Sequence, residues 1–211
     1  MKTSIMIALL IALLPIPAQA VVNVALNKTV SLHSSGSPFF NYSDPYNNHA
    51  DASSVTDGVY LPTGTDWRDG TVFWADNYEG EHWVEIDLGG NYEITGFKAQ
   101  LNENDFYKLS YLDGGGQWQP IWTVEQILWC CMQVRETTLG TSVMTSALKL
   151  EGYFETWPPT NEFGSRIGYT SDNLFSVSEI EAYGVYGVPE PASLALLGLG
   201  LAGMGLARRR S

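Results

Sequence analysis

Cysteine and histidine are scarce in this chain of 211 residues, which has two cysteines and three histidines. Cys130 and Cys131 are adjacent, so they cannot join distant parts of a domain as the disulfides of small secreted scaffolds do. They are either two reduced thiols or a vicinal disulfide, and a structural role is favoured because Trp129 and Met132 flank them with apolar surface. The histidines have no metal-ligand spacing, and the cysteine pair lacks further ligands for a zinc site.

Basic residues are also few, with 11 Lys and Arg against 23 Asp and Glu. Leaving out Lys2, the three arginines near the C-terminus and Glu190, residues 21–187 keep 7 basic and 22 acidic residues, a net charge near −15. Such a surface repels phosphates, which excludes nucleic acid as a partner, and it suits cations, neutral glycans or basic proteins. The need to keep an exported protein soluble explains most of this acidity.

No apolar run in the chain is long enough to cross a membrane without strain, but both ends carry a short one. Residues 1–20 combine Lys2, an apolar run from Ile5 to Leu14 and the small-x-small site Ala18-Gln19-Ala20, which is the pattern of a secretory signal peptide. An uncleaved anchor fits less well, because at about 1.5 Å per residue this run reaches about half of a hydrocarbon core of roughly 30 Å.

A second targeting pattern occupies residues 188–211. Pro189-Glu190-Pro191 breaks any preceding strand, because two prolines remove backbone donors and fix φ. The uncharged run from Ala192 to Ala207 follows, and Arg208-Arg209-Arg210 closes it. At about 1.5 Å per residue the run spans on the order of 24 Å, enough for a short transmembrane helix whose arginines stay cytoplasmic.

The order of these three parts resembles the PEP-CTERM sorting signal of Gram-negative bacteria. The resemblance implies recognition by an exosortase-type membrane protease at Pro189, Glu190 and Pro191. It also implies transient anchoring in the inner membrane, removal of the helix, and export to the cell envelope or an extracellular polysaccharide matrix. A permanent membrane anchor is the alternative.

Residues 21–187 have the length of one domain and the patterns of an all-β chain. At the centre of 81–97, Val84, Ile86 and Leu88 alternate with polar residues, and Gly89-Gly90-Asn91 follows. This pattern predicts a strand, a tight connection and a second strand. Further strands are predicted over 21–32, at the edge of a sheet, and over 106–112, 117–124, 147–153 and 174–185.

The stretch 53–77 shows no sustained strand or helix period. It contains Asp57-Gly58, Thr63-Gly64-Thr65, Asp69-Gly70 and further acidic residues between aromatic ones. A closely folded, oxygen-rich loop can wrap Ca²⁺, which takes carboxylate, hydroxyl and carbonyl oxygens as ligands. The spacing is not that of an EF-hand, and composition alone favours a turn-rich loop over a metal site.

Five pieces of the chain, in order, resemble a discoidin domain. This domain, also called the coagulation-factor type C domain, is related to family 32 carbohydrate-binding modules in the galactose-binding-like superfamily. The pieces are Asn23 to Val30 (NVALNKTV), Thr56-Asp57-Gly58 with Thr65-Asp66-Trp67, Trp83 to Gly89 (WVEIDLG), Tyr107 to Gly114, and Ser178 to Gly184 (SEIEAYG). The resemblance implies a β-sandwich with jelly-roll topology.

The same resemblance implies a structural Ca²⁺ ion where the Asp-Gly loop meets the closing strand. The ligands carried over are the carboxylates of Asp57 and Glu179, the backbone carbonyls of Ser54, Val59 and Ser178, and the hydroxyl of Thr65, with Thr71 as its rival. Two distant acidic residues drawn into one corner of a sandwich also need a counter-charge. Val59 departs from the family, which usually has Asn or Asp at this position.

Aromatic residues in the Gly- and Asp-rich loops are the candidates for ligand binding, since sugar-binding modules stack exposed rings on pyranose faces. They are Trp67, Tyr60, Trp74 and Tyr78, with His49, Asn77 and Arg68 as hydrogen-bonding neighbours. Trp74 and Trp83 are more readily explained as core residues. Trp67, which lies between charged residues, is the best candidate for an exposed ring.

The chain offers no catalytic pattern. Glu85 and Asp87 share a strand face without the environments that separate the two carboxylates of a glycosidase, and no Gly-x-Ser-x-Gly elbow occurs. We therefore expect an exported, non-catalytic module that binds carbohydrate or extracellular polysaccharide. The alternative is a structural or adhesive protein of the envelope or matrix that binds protein partners and no sugar.

Overall fold

The computed structural model of the chain describes residues 20–36, 39, 48–76, 80–127, 131–153 and 174–186. Its strands are β1 (Val22–Asn23), β2 (Thr29–Ser34), β3 (Asn48–His49), β4 (Asp69–Ala75), β5 (His82–Asn102), β6 (Phe106–Leu112), β7 (Trp118–Val124), β8 (Met132–Tyr153) and β9 (Leu174–Tyr186). One 3₁₀ helix, Ala52–Thr56, is the only helix in these ranges. The all-β prediction is therefore confirmed.

The described ranges contain no helix with the length and apolarity needed to cross a membrane. The predicted transmembrane helix and sorting motif over 188–211 lie outside these ranges. So does the predicted signal peptide over 1–20, apart from its last residue.

One sheet of nine strands curls around the core, and its pairings are antiparallel except for the parallel pair β3–β4. The long strands β5 and β8 belong to both halves of the sheet. Residues 83–87 of β5 pair with β2 and with the end of β8, and β6 and β7 continue that half. Residues 92–101 of β5 pair with the first part of β8 on one side and with β9 on the other, and β4 and β3 continue this second half. Two long strands shared between two half-sheets are consistent with a β-sandwich.

Aromatic rings from both half-sheets meet in the core. The ring of Tyr107 on β6 lies edge-on to Trp74 on β4 and to Phe175 on β9, with centroid distances of 6.4 and 5.5 Å. The Tyr107 hydroxyl donates to the Ser176 carbonyl at 3.0 Å and accepts from the Ser176 amide at 2.9 Å. The two half-sheets are thus joined by a hydrogen-bonded side chain as well as by apolar packing.

The central strand differs from its prediction in one respect. Val84, Ile86 and Leu88 are each at most 1 % exposed, which confirms the predicted alternation. The Gly89-Gly90-Asn91 cluster, however, does not separate two strands, because β5 runs through it for 21 residues. Gly89 adopts φ 71°, and the register with β8 shifts between Asp87 and Tyr92. The glycines therefore make a bulge in one continuous strand.

Strand β4 lies in the stretch for which no period was predicted. Thr71, Val72, Phe73 and Trp74 are all at most 3 % exposed. A strand that is covered on both faces has no alternation of apolar and polar residues to detect. Burial on both sides is therefore the reason why the sequence pattern misses this strand.

The predicted first strand is two short strands, because Asn27 takes the left-handed conformation at φ 57° and turns the chain. β1 pairs with β9, whereas β2 pairs with β5. The Asn23 carboxamide oxygen accepts hydrogen bonds from the amides of Ala25 and Ala182, at 3.0 and 3.2 Å. Asn23 therefore ties the start of the domain to its closing strand.

Candidate functional site

An acidic corner forms where the loop after the 3₁₀ helix meets β9. Glu179 on β9 is fully buried, and its Oε2 accepts a hydrogen bond from the Gly58 amide at 3.0 Å. Asp57, the preceding residue, is exposed and lies close enough to raise the pKa of Glu179. The structure thus brings together the two carboxylates, Asp57 and Glu179, that lie far apart in the sequence.

Gly58 makes this corner possible. It adopts φ 81°, where a side chain strains the backbone, and an added Cβ atom would lie 2.9 Å from Leu26 Cδ1. Asp57 Oδ1 accepts a hydrogen bond from the Val59 amide at 2.8 Å and so closes a local turn around Gly58. This turn aims the Gly58 amide at Glu179.

Two buried oxygens in this region have no hydrogen-bond partner among the described residues. They are Oε1 of Glu179 and Oγ of Ser54, which lies on the 3₁₀ helix packed against β9. Burial raises the pKa of Glu179 to about 8, with Asp57 and Glu181 adding to the rise and the Gly58 amide opposing it. Buried oxygens without a donor, next to a second carboxylate, fit a hard cation such as Ca²⁺.

The remaining predicted ligands have other contacts. The Thr65 hydroxyl donates to the Pro62 carbonyl at 2.7 Å, and the Thr71 hydroxyl donates to the Trp67 carbonyl. Ser54, Val59 and Ser178 were predicted to offer backbone carbonyls, and these stay predictions. The Ser178 hydroxyl donates to Gln100 at 2.6 Å. Val59 is 62 % exposed, on the outer side of the turn. The clearest oxygen donors at the corner are therefore the carboxylates of Asp57 and Glu179, and Ser54 Oγ is a further buried oxygen on the adjoining 3₁₀ helix.

Gln100 is a positioning residue that the sequence analysis missed. It is fully buried on β5, and its carboxamide accepts from the Leu61 amide at 2.8 Å and donates to the Leu61 carbonyl at 2.9 Å. These paired bonds clamp the loop that leads from Gly58 towards Trp67. The available signal was an amide side chain between the apolar residues Ala99 and Leu101, where a buried polar group needs a partner.

A ring cluster lies beside this loop, at the β3–β4 edge. Trp67 packs edge-on against Phe73 at 5.4 Å, and His49 stacks on Phe73 at 4.3 Å. Trp67 remains partly exposed, with the Arg68 guanidinium 5.4 Å from its ring centroid. Asp66 holds that guanidinium in a bidentate pair at 2.9 and 3.1 Å. The arrangement offers part of an indole ring with fixed polar groups at its rim.

The other predicted ligand residues have different positions. Tyr60 is partly exposed, and Lys98 Nζ lies 4.5 Å from the centroid of the Tyr60 ring. Burial, together with Glu181, raises the pKa of the Tyr60 hydroxyl. Trp74 is 0 % exposed and stacks on Phe175, so its prediction as a ligand residue is wrong and its alternative as a core residue is right. Tyr78 and Asn77 lie outside the residues that the structure describes.

Trp83 does not fill the core as predicted. It is partly exposed on the outer face of β5 and stacks on His33, with ring centroids 5.0 Å apart. Alternation explains this position, because the neighbouring Val84 points to the core.

Of the two alternatives for the cysteine pair, reduced thiols or a disulfide, the structure shows the disulfide. Cys131 is disulfide-bonded, and Cys130 is the only other cysteine of the chain.

The first residue of β8 contacts the loop around Trp67. The Met132 amide donates to the Thr65 carbonyl at 3.0 Å, and the Gly64 amide donates to the Met132 carbonyl at 3.3 Å. The start of β8 therefore lies against the loop that carries Trp67.

Comparison with known proteins identifies the sorting signal and the fold. Residues 187–211 match the model of the PEP-CTERM protein-sorting motif, which confirms the predicted resemblance over the stretch that contains Pro189, Glu190 and Pro191. A solved structure of similar fold is the F-lectin, or fucolectin, from the serum of striped bass, Morone saxatilis. It is 12 % identical, with a TM-score of 0.53, over 79 % of this chain and 50 % of that one. The chain thus spans half the length of the fucolectin.

Two bacterial modules are also similar. Chitosan-binding module 1 of a chitosanase/glucanase from Paenibacillus sp. IK-5 is 19 % identical over 77 % of this chain and 99 % of the module, with a TM-score of 0.45. The module CpGH89CBM32-5 from Clostridium perfringens, solved with GalNAc-β-1,3-galactose, is 16 % identical over 77 % and 99 %, with a TM-score of 0.46. At 12 % identity the fucolectin shows the fold alone, and this chain shares that fold.

Proposed function

We propose that this protein is an exported, non-catalytic module that binds carbohydrate through the Trp67 edge of its β-sandwich. The observation that carries the proposal is the partly exposed Trp67 ring beside the fixed Asp66–Arg68 pair. An indole face covers the apolar face of a pyranose ring, and the rim groups take hydroxyls. Tyr60 is a second ring near the same loop.

The fold and the sorting motif support the proposal from two directions. The fold is shared with a fucolectin, and the PEP-CTERM match indicates export and sorting to the cell surface. The finer parts of the proposal are a jelly-roll order of strands, a Gram-negative host, processing by an exosortase-type protease after transient anchoring in the inner membrane, and an extracellular polysaccharide as ligand. Neutral polysaccharide suits a domain with an acidic surface.

The two strand carboxylates are consistent with a module without catalysis. Glu85 lies 3.4 Å from His33 on the outer face of β5, and Asp87 accepts a hydrogen bond from the Gly89 amide at 2.8 Å. Both are half-exposed or exposed and have structural contacts. A glycosidase acid instead needs an environment that separates its pKa from that of its partner.

Ca²⁺ is the cofactor that the acidic corner fits. Asp57 and Glu179 would hold it with carboxylates, with an oxygen of Ser54 beside them, and backbone carbonyls of Val59 and Ser178 as further ligands. The ion would neutralise the buried carboxylate and fix the loop between Gly58 and Trp67. Its role in this proposal is structural, since it orders the loop that presents the ring.

Replacing Trp67 by alanine should abolish most of the sugar binding. We expect affinity for a bound polysaccharide to fall by roughly tenfold or more, because losing one stacking ring costs about 1.4 kcal/mol or more. Affinity electrophoresis in polysaccharide gels measures this. Trp118→Ala is the matched control, because Trp118 is a partly exposed tryptophan on β7 beneath Lys149.

Equal retardation of both variants and the wild type would contradict the assignment of Trp67. Loss of binding in Trp118→Ala alone would move the ligand to the β7 surface. Absence of binding to every polysaccharide by the folded wild type would favour the alternative, an adhesive or structural protein that binds protein partners.

A further inference from the structure

A second group of titratable side chains is buried between β4 and β5. Asp76 follows the end of β4, Glu81 precedes β5, and His82 begins it. Their exposed fractions are 2 %, 3 % and 1 %. One carboxylate oxygen of each acid and one ring nitrogen of His82 all lie within 4.8 Å of one another. These are three potential metal ligands of types that combine in metal sites, gathered out of contact with water.

The charges of this group call for a cation. His82 Nδ1 lies 2.6 Å from Asp76 Oδ1, so the imidazole directly faces one of two buried carboxylates. Two carboxylates this close, both removed from water, resist ionising together. A divalent ion balances both charges and leaves the imidazole neutral, as a ligand must be.

The surroundings of the group hold its members in place. Trp74 Nε1 donates to Asp76 Oδ2 at 3.0 Å, which leaves Oδ1 directed at His82. The Phe39 ring lies edge-on to His82 at 4.9 Å and tilted against Trp74 at 5.6 Å. A hydrogen-bonded carboxylate and an apolar wall are the usual support of a metal ligand set.

Gly36 shows how closely the backbone approaches Glu81. A Cβ atom at this position would lie 2.7 Å from Glu81 Oε1. The Ser35 amide donates to the Glu81 carbonyl at 2.9 Å, so the segment after β2 is fixed against the group. The absence of a side chain at Gly36 therefore leaves room for the Glu81 carboxylate in its buried position.

We propose that Asp76, Glu81 and His82 form a binding site for a divalent transition-metal ion, with Zn²⁺ as the best fit. Ca²⁺ prefers six to eight oxygen ligands, whereas Zn²⁺ takes a small set of imidazole nitrogen and carboxylate oxygen at about 2.0–2.2 Å. Ligand atoms around a tetrahedral ion at that distance lie about 3.3 Å apart. Asp76 Oδ1 and His82 Nδ1, now 2.6 Å apart, would therefore separate slightly, and the longer distances in the group would shorten by about 1.5 Å at most. The ion would hold the end of β4 against the start of β5.

The site is distinct from the acidic corner, and its test keeps the two apart. The purified protein is stripped with chelator, returned to buffer with millimolar Ca²⁺, and titrated with Zn²⁺ by calorimetry. We expect about one Zn²⁺ per chain and, at a hundredfold excess over Kd, a rise in melting temperature of roughly 5–10 °C. Co²⁺ in place of Zn²⁺ should give a visible absorption that the stripped protein lacks.

His82→Gln should weaken Zn²⁺ binding by roughly a hundredfold or more, since it removes the nitrogen ligand. His33→Gln is the matched control, because His33 stacks on Trp83 on the outer face of the sheet. Glu81→Gln keeps the size of the side chain and tests the site even if His82→Gln does not fold. Asp57→Asn, at the acidic corner, should leave Zn²⁺ binding unchanged.

Two results would overturn the site. One is a stripped, folded wild type that takes up no Zn²⁺ in the titration and shows no Co²⁺ absorption, which would make the group a hydrogen-bonded network only. The other is Zn²⁺ binding that survives in both His82→Gln and Glu81→Gln, which would place the ion elsewhere. Stoichiometric binding lost in these two variants and kept in His33→Gln supports it.

Discussion

Ca²⁺ is expected to raise the melting temperature of the protein far more at pH 8 than at pH 5. Without a cation, burial raises the pKa of Glu179 from 4.5 to about 8 in the folded state. The free energy of unfolding that this raised pKa contributes is therefore fully present below about pH 4.5, and it is lost as the pH rises through about 8. A shift of this size corresponds to a loss on the order of 5 kcal/mol by linkage.

Bound Ca²⁺ favours the ionised carboxylate, so it should remove this fall in stability and release about one proton per ion near pH 6–7. Calorimetric melting at both pH values, in chelator and in Ca²⁺, measures the effect. In Glu179→Gln, both the pH dependence and the response to Ca²⁺ should shrink together. Identical melting curves in chelator and in Ca²⁺ at pH 8 would rule out the cation at this corner.

Gly58→Ala is expected to be the most destabilising glycine-to-alanine substitution in the candidate site. The new Cβ atom would meet Leu26 at 2.9 Å, at a backbone φ of 81° that alanine avoids. Leu26 Cδ1 is the end of an exposed side chain that can move aside, so the strain falls chiefly on the backbone around the amide that donates to Glu179 at 3.0 Å. Left-handed strain costs about 1–2 kcal/mol, and the weakened hydrogen bond with a little crowding adds to it, for a total of about 2–3 kcal/mol.

Gly64→Ala separates backbone strain from crowding. Gly64 has a similar φ of 86°, but nothing lies within 4 Å of its added Cβ atom. Urea unfolding should show a loss of about 1–2 kcal/mol for this control, with Ca²⁺ affinity preserved. Equal losses in both variants, with equal Ca²⁺ binding, would mean that the Gly58 amide does not organise the corner.

The sequence predicts those strands whose two faces differ. Val84, Ile86 and Leu88 face the core while Trp83 and Glu85 face outwards, so the alternation is visible in the sequence. β4 carries no such signal, because both of its faces are covered. The bulge at Gly89 was mistaken for a turn, because a residue with positive φ suits either.

The candidate site was harder to predict from the sequence than the strands, because its contacts join residues that are distant in sequence. Asp57 and Glu179 could be paired only through the resemblance to a family, since no local pattern relates them. Gln100 meets Leu61, and Asp76 meets His82, through the packing of whole strands. Trp74 and Trp67 are both aromatic residues near Asp, and only the fold separates a core ring from a partly exposed one.

The most direct measurement is a glycan array probed with the exported protein in Ca²⁺. A carbohydrate-binding module predicts saturable binding to a subset of the glycans, lost in Trp67→Ala and retained in Trp118→Ala. Absence of binding to every glycan, by protein that melts cooperatively and responds to Ca²⁺, would contradict the proposed function while leaving the fold intact.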